Sequence, residues 1–253
     1  MKILLNGFCG YMGNEVVRAA EKNYGGACLV GGIDLFKASD SSLPVANSFE
    51  AAKQMFNKNS ADCLIDFSSH LCTKEMIDFA VSCKIPVVIA PTGHTKEELD
   101  IIEEASKIIP IFNSANMSLG VALLVKLAKQ AAVAMPDAEI EIIEKHHDRK
   151  VDAPSGTAMM LFNEIKTVRE DAVAVCGRSG DSKRTANEIG IHAIRMGNIV
   201  GEHEVIVGTN TQSISLKHEA FDRALFAEGA IVAANFLIKQ QPGLYNMHDL
   251  IGD

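Results

Sequence analysis

Positive charge is in short supply in this 253-residue chain: 24 Lys and Arg stand against 32 Asp and Glu, a formal net charge of −8. That balance excludes the broad basic face with which proteins bind nucleic acid or anionic membranes non-specifically, although an anionic small molecule needs only a few local cations. Long apolar runs are missing as well. The N-terminal "MKILLNGFCG" is too short in apolar residues for a signal peptide and has no small-residue cleavage pattern. The longest apolar-rich stretch, 119–136, is interrupted by Lys126, Lys129 and Gln130, which makes it an amphipathic buried helix and not a membrane span. The six cysteines, at 9, 28, 63, 72, 83 and 176, form no CxxC pair and no cluster with histidines. They read as reduced thiols of a cytoplasmic protein, and no metal site is expected. The rest is ordinarily globular, 47% hydrophobic and 22% charged, over a length that suits one large domain or two modest ones.

Over the first 112 residues strand-like and helix-like segments alternate: "KILLNG", Met12 to Lys22, "CLVGGID", 48–57, "CLIDFS", Thr73–Cys83, "IPVVIAP", Lys96–Lys107 and "IPIFNSA". Continuous apolar strands between helices indicate a parallel sheet covered on both faces, a doubly wound Rossmann-type α/β domain. After Asn116 the pattern changes. Ser118 is an N-cap for a helix that runs to Ala134 and stops at Pro136. A strand ("AEIEIIEKHH"), a helix ("SGTAMMLFNEIKTV") and three strands in succession follow. That order indicates a smaller, mixed-sheet α+β domain. From Phe221 a helical pattern returns, and the tail "GLYNMHDLIG" reads as a last turn. The expected division is a dinucleotide-binding domain over 1–117, completed by 221–253, and a substrate and oligomerisation domain over 118–220.

Directly after the first strand comes Gly7-Phe8-Cys9-Gly10-Tyr11-Met12-Gly13. Glycine allows the tight turn and close approach of a pyrophosphate, and the helix that follows offers N–H groups with no intrahelical acceptor. The spacing is GxxGxxG, one residue off the common GxGxxG. Asp34 ends the second strand, where a carboxylate accepts hydrogen bonds from an adenosine ribose. No arginine stands beside it, and Lys37 is the nearest cation. A carboxylate repels a 2′-phosphate, so NADH is expected to be preferred or equal to NADPH.

The other conspicuous stretch is "EKHHDRKVDAPSGTA", residues 144–158. Adjacent strand residues point to opposite faces, so His146 and His147 can share a target only where the strand ends. Pro154 forces an extended Ala153, and Ser155 reads as a helix N-cap. The Gly156 and Thr157 amides then fall in a first turn that lacks intrahelical acceptors. With Lys150 and two histidines alongside, this is a site for a carboxylate and a proton donor near neutral pH. Neither Glu144 nor Asp148 has an established metal spacing.

Four stretches together resemble the 4-hydroxy-tetrahydrodipicolinate reductase (dihydrodipicolinate reductase) family of lysine and diaminopimelate biosynthesis. They are "GFCGYMG", "EKHHDRKVDAPSGTA", "RMGNIVGEHEV" and "GLYNMHDLIG". The resemblance implies that Gly7, Phe8, Cys9, Gly10, Tyr11 and Met12 hold the pyrophosphate and Asp34 the ribose. It places the nicotinamide end at Ala90, Pro91 and Thr92 and at Ser114, Ala115, Asn116 and Met117. It implies that His146 donates the proton, with Lys150 as a second donor or charge stabiliser. His147, Lys150, Ser155, Gly156 and Thr157 would bind the substrate's two carboxylates, and the assembly would be a homotetramer formed through the second domain's sheet. Three departures stand out: Ala90-Pro91 replaces Gly-Thr, Met117 replaces phenylalanine, and the arginine that follows the ribose carboxylate in some members is absent. Two other readings are another Rossmann-type reductase of a small dicarboxylate and a non-catalytic NAD(P)-sensing protein.

Overall fold

The computed structural model of the chain describes residues 1–35, 41–57 and 59–252. In chain order it begins with β1 (Lys2–Asn6), α1 (Tyr11–Glu21), β2 (Cys28–Ile33), β3 (Val45–Ala46), α2 (Phe49–Met55), β4 (Cys63–Asp66), α3 (Thr73–Cys83), β5 (Val87–Ile89), α4 (Lys96–Ser106) and β6 (Pro110–Asn113). It continues with α5 (Leu119–Ala134), β7 (Glu139–His146), α6 (Gly156–Lys166), β8 (Val173–Cys176), β9 (Glu188–Arg195), β10 (Gly201–Gly208) and β11 (Ser213–Ala220). The last elements are α7 (Ala224–Leu237), β12 (Gly243–Tyr245) and α8 (Met247–Ile251). Contacts divide the chain into two compact units, Met1–Ser118 with the segment from Arg223 onward, and Leu119–Asp222.

In the first unit the described residues form a seven-stranded sheet in the order β12-β6-β5-β4-β1-β2-β3, with every pairing parallel. Its strands are apolar on both faces because both are covered. Leu4, Leu64, Val87, Ile89 and Ile111 pack with Phe49, Met76, Phe79 and Ile102 from α2, α3 and α4. On the opposite face α7 lies against α1, β4, β5 and β6, and Phe112 meets Phe236 edge-on with ring centroids 6.4 Å apart. Strand order reverses between β1 and β4. In doubly wound sheets a ligand crevice opens at such a reversal, beyond the carboxyl ends of the strands.

In the second unit the order is β11-β10-β7-β9-β8. β7, β9 and β8 run parallel, and β10 is antiparallel to both of its neighbours. Both helices cover one face: Val121, Leu124 and Val125 of α5 and Leu161, Phe162 and Ile165 of α6 pack on Ile140, Ile142, Ile189, Ile191, Val205 and Val207. Side chains alternate along a strand, so the other face carries Ile143, Lys145, His192, Glu202, Ile206 and Lys217. Ion pairs run across it, Lys145–Glu202 at 2.9 Å and Lys217–Glu202 at 3.2 Å.

Three strands were not foreseen in the sequence. β3 has two residues and β12 three, and β8 has four with no apolar–polar alternation to mark it. The tail expected as a turn is β12 followed by α8, whose start is capped reciprocally by Asn246 and Asp249.

Candidate active site

In the first unit the glycine loop connects β1 to the start of α1. Gly7 sits at φ 81°, and a Cβ there would stand 2.8 Å from the Phe67 carbonyl carbon. Gly13 is demanded more strongly, since its Cβ would fall 2.1 Å from the Gly7 oxygen. These glycines let the first turn of α1 close onto the loop. The Cys9 amide donates to Asp34 Oδ2 at 2.7 Å, so the carboxylate at the end of β2 also shapes the loop. Phe8 turns its ring into the core against Gly32, where a Cβ would meet it at 2.4 Å. Tyr11 stays exposed, with the Arg223 guanidinium 5.4 Å from its ring centroid.

Beside this loop, past β4 and β5, a cleft of about 310 Å³ is lined by Phe67, Ser68, Ser69, His70, Ala90, Pro91 and Thr92. Behind Ser68 lies a buried carboxylate, Asp66. Asp66 Oδ1 accepts from Asn6 Nδ2 at 2.9 Å, from the Ser68 amide at 2.9 Å and from Ser68 Oγ at 2.6 Å. Burial pushes the Asp66 carboxyl up to about 6, against the hydrogen bonds from Ser68 and Asn6, which pull it down. At one wall His70 Nδ1 pairs with Glu98 at 3.0 Å. The loop 114–117 is set by an Asx-type turn: Ser118 donates its amide to Asn116 Oδ1 at 2.9 Å, and Ser114 Oγ donates to the Asn116 carbonyl at 2.9 Å.

In the second unit the ends of β7, β9 and β10 and the start of α6 meet around Glu144, which is 0% exposed. Glu144 and His146 lie two apart on β7 and therefore share a face. His146 Nδ1 is 2.6 Å from Glu144 Oε2. Arg195 grips the same carboxylate with both terminal nitrogens, at 2.8 and 2.7 Å, and the Ser155 amide donates to Oε1 at 3.0 Å. Burial alone would raise the Glu144 pKa. The hydrogen bonds from His146, Arg195 and the Ser155 amide outweigh it and hold the carboxyl at about 2. Register explains the meeting, with Arg195 opposite His146 on β9 and His203 opposite Glu144 on β10. The His203 ring stands edge-on to His146, centroids 5.2 Å apart, and its Nε2 is 3.1 Å from Ser155 Oγ. Burial, with His146 adding to it, pushes His203 down to about 4, so it is neutral near pH 7.

The larger cavity, about 690 Å³ around Arg169, belongs to a different part of this unit. Its guanidinium donates to the carbonyls of Ala132, Met135 and Ala138, closing the end of α5. That is structural work. Among the described residues no group of three or more His, Cys, Asp and Glu is placed to hold a metal ion, and no helix is long and apolar enough to cross a membrane.

The family model described as dihydrodipicolinate reductase, N-terminus, matches residues 1–117, and the one described as its C-terminus matches 120–251. The chain belongs to the dihydrodipicolinate reductase family. It is 43% identical to the 4-hydroxy-tetrahydrodipicolinate reductase of Clostridium novyi over 252 residues, covering 99% of this chain and 98% of that one. It is 45% identical to that of Caldanaerobacter subterraneus subsp. tengcongensis, again over 99% of this chain and 98% of the relative. The dipicolinate-bound dihydrodipicolinate reductase of Paenisporosarcina sp. TG-14 superposes with a TM-score of 0.83 at 25% identity, covering 100% of this chain and 99% of that one.

Against this family background the structure distributes the expected residues unevenly. Gly7 to Met12, Asp34 and Ala90 to Thr92 all border the crevice end of the first sheet. Phe8 and Met117, 7% and 2% exposed, have their side chains in the core. Lys37, the cation expected near Asp34, lies outside the described residues. In the second unit His146 and Ser155 meet through Glu144, and Gly156 follows Ser155 at the start of α6. Lys150 pairs with Asp152 at 2.7 Å, and the His147 amide donates to the Ile199 carbonyl at 2.7 Å. Ser155, expected among the carboxylate ligands, is instead 2% exposed. Its amide serves Glu144 and its hydroxyl accepts from the Ala158 amide as an N-cap. Glu144, Arg195, His203 and Asp66 were given no role by sequence reasoning. For Glu144 the signal was there, two residues before His146 on an alternating strand.

Proposed function

We propose that the chain reduces 4-hydroxy-tetrahydrodipicolinate (dihydrodipicolinate) to tetrahydrodipicolinate with hydride from NAD(P)H, in the diaminopimelate route to lysine. The observation that carries this is the His146–Glu144 pair beside the start of α6, in a family whose named relatives act on that compound. A cyclic dicarboxylate needs local anion binding and a proton donor, and this end of the second unit supplies both. A Cβ built on Gly156 meets nothing within 4 Å, so the open space there suits a ligand carboxylate approaching the amides of Gly156 and Thr157. Lys150 and His147 complete the anion site. His146 Nε2 gives its proton to the position left electron-rich by hydride addition, and the cations and amides stabilise the charge that develops.

The first unit fits a dinucleotide. The start of α1 and the glycine loop would hold the pyrophosphate, with Asp34 at the ribose and residues 90–92 and 114–117 at the nicotinamide end. When bound, the nucleotide supplies hydride from its nicotinamide C4. Pro91 has no N–H and the Ala90 amide donates to the Asp66 carbonyl at 3.0 Å, so amide contacts there fall to Thr92. Asp34 meets a 2′-phosphate with like charge, a repulsion of a few kcal/mol at most and less after screening. NADH is therefore preferred or equal, with NADPH still used. The uncovered face of the second sheet, with its mixed apolar and paired charged residues, is the surface through which four copies associate in the cytoplasm.

The test is steady-state oxidation of NADH and NADPH separately by enzymatically generated substrate, on protein whose solution mass is measured first. Turnover is expected with both, from a species of four 27.2-kDa chains. No turnover by folded protein would refute the activity. A kcat/KM for NADPH more than about tenfold above that for NADH, 1.4 kcal/mol the wrong way, would refute the reading of Asp34. A monomer at micromolar concentration would refute the assembly.

A further inference from the structure

We infer that Glu144 is a positioning residue for proton transfer: it fixes His146 as the Nδ1–H form and leaves Nε2 as the atom that gives up the proton. The inference rests on the proposed reductase reading and deepens it.

Three observations converge. First, a carboxylate held ionised can only accept hydrogen bonds. The 2.6 Å contact therefore requires a hydrogen on Nδ1. Second, Glu144 is itself locked. Arg195 holds it bidentately, the Ser155 amide holds Oε1, and Arg195 is anchored in turn to the Asp152 carbonyl at 2.7 Å. A carboxylate with both oxygens fixed directs the ring it binds. Third, the opposite ring nitrogen is kept clear. A Cβ at residue 201 would press on His146 Nε2 at 3.2 Å, and glycine there leaves that atom open.

Other ionisable groups around the ring do not displace this pairing. His203, on β10, is neutral, with His218 beyond it acting in the same direction. Arg195, on β9, pairs with Glu144, and Lys150, in the loop after β7, pairs with Asp152. Glu144 is the carboxylate in direct contact with the ring of His146. The proton comes from solvent to Nε2, passes to the reduced substrate, and is replaced from solvent. No other bond at Glu144 or His146 changes.

The experiment pairs kinetics with NMR of the His146 ring. Glu144→Gln removes the fixed acceptor, because its amide can donate to Nδ1 as well as accept from it. The ring nitrogen shifts, assigned by their absence from His146→Gln, are expected to report Nδ1–H in the wild type and a mixture of tautomers in Glu144→Gln, with kcat reduced about tenfold and the KM for substrate changed less than threefold. The same tautomer in both proteins with kcat unchanged would overturn the inference while leaving wild-type turnover, and so the reductase reading, intact. Should Glu144→Gln not fold, the wild type decides. A slowly exchanging, strongly downfield Nδ1–H signal that His146→Gln lacks is expected, and a spectrum placing the hydrogen on Nε2 of the neutral ring overturns the inference.

Discussion

His146→Gln should lower kcat by on the order of 10²-fold, with a much smaller change in the KM of either substrate. The asymmetry follows from what the ring does. It meets ground-state substrate only as a neighbour, whereas in the transition state it supplies the proton that quenches the developing charge. Glutamine retains some hydrogen bonding but has no proton to give at neutral pH. The fold should tolerate the change, because His146 lies at the end of β7 and its backbone carbonyl still accepts from the Met196 amide at 2.9 Å. Stopped-flow or steady-state oxidation of NADH checks it. An unchanged kcat would return His146 to an ordinary half-buried histidine paired with a carboxylate.

The second large effect is expected at Gly13. A methyl group there would stand 2.1 Å from the Gly7 oxygen and 2.8 Å from the Phe8 oxygen, both rigid backbone atoms. The loop or the first turn of α1 must move, and a displacement near 1 Å at a binding loop costs on the order of 10²-fold. Gly13→Ala should therefore raise the KM for NADH about that much and destabilise the protein by several kcal/mol, in the manner of an overpacked core. Gly156→Ala is the instructive partner. Its added methyl meets no protein atom within 4 Å, so stability should stay within about 0.5 kcal/mol while the KM for the dicarboxylate rises. Urea denaturation and kinetics on both variants distinguish a glycine the fold requires from one the ligand requires. Equal stability losses would show that the space at Gly156 has been misread.

The sequence made the first sheet legible because its strands are buried on both faces, so apolar runs such as "KILLN" and "CLID" stand out without any knowledge of pairing. The glycine loop and the segment 144–158 were legible because each is local, a few residues whose spacing carries the chemistry. Arg195 and His203 were not. Their place beside His146 and Glu144 is set by strand register in a mixed sheet, and register depends on partners some fifty residues away along the chain. Asp66 was hidden inside an apolar strand, where a polar residue reads as an interruption. Ser155 shows the converse. The local signal for an N-cap was right, and that same role, together with Glu144, occupies the groups expected to meet the ligand.

Asp66 and Glu144 are both buried carboxylates, one in each unit, and acid acts on them with opposite sign. Asp66 has its pKa raised from 3.8 to about 6 in the folded chain, so the fold prefers it protonated. The stability it contributes is complete below 3.8 and is lost as pH rises through about 6. The difference is on the order of 3 kcal/mol. Glu144 is lowered from 4.5 to about 2, and what it contributes is present above 4.5 and is lost as pH falls toward 2. His203, lowered from 6.5 to about 4 by burial, also withdraws stability from the second unit as pH falls below 6.5. Mild acidification should thus tighten the first unit while it loosens the second. Hydrogen exchange, corrected for its intrinsic pH dependence, should show β4 amides better protected near pH 5 than near pH 7 and β7 amides less protected. Equal responses in the two strands would contradict this. One chain then carries two compact units whose buried carboxylates answer the same proton concentration with opposite sign.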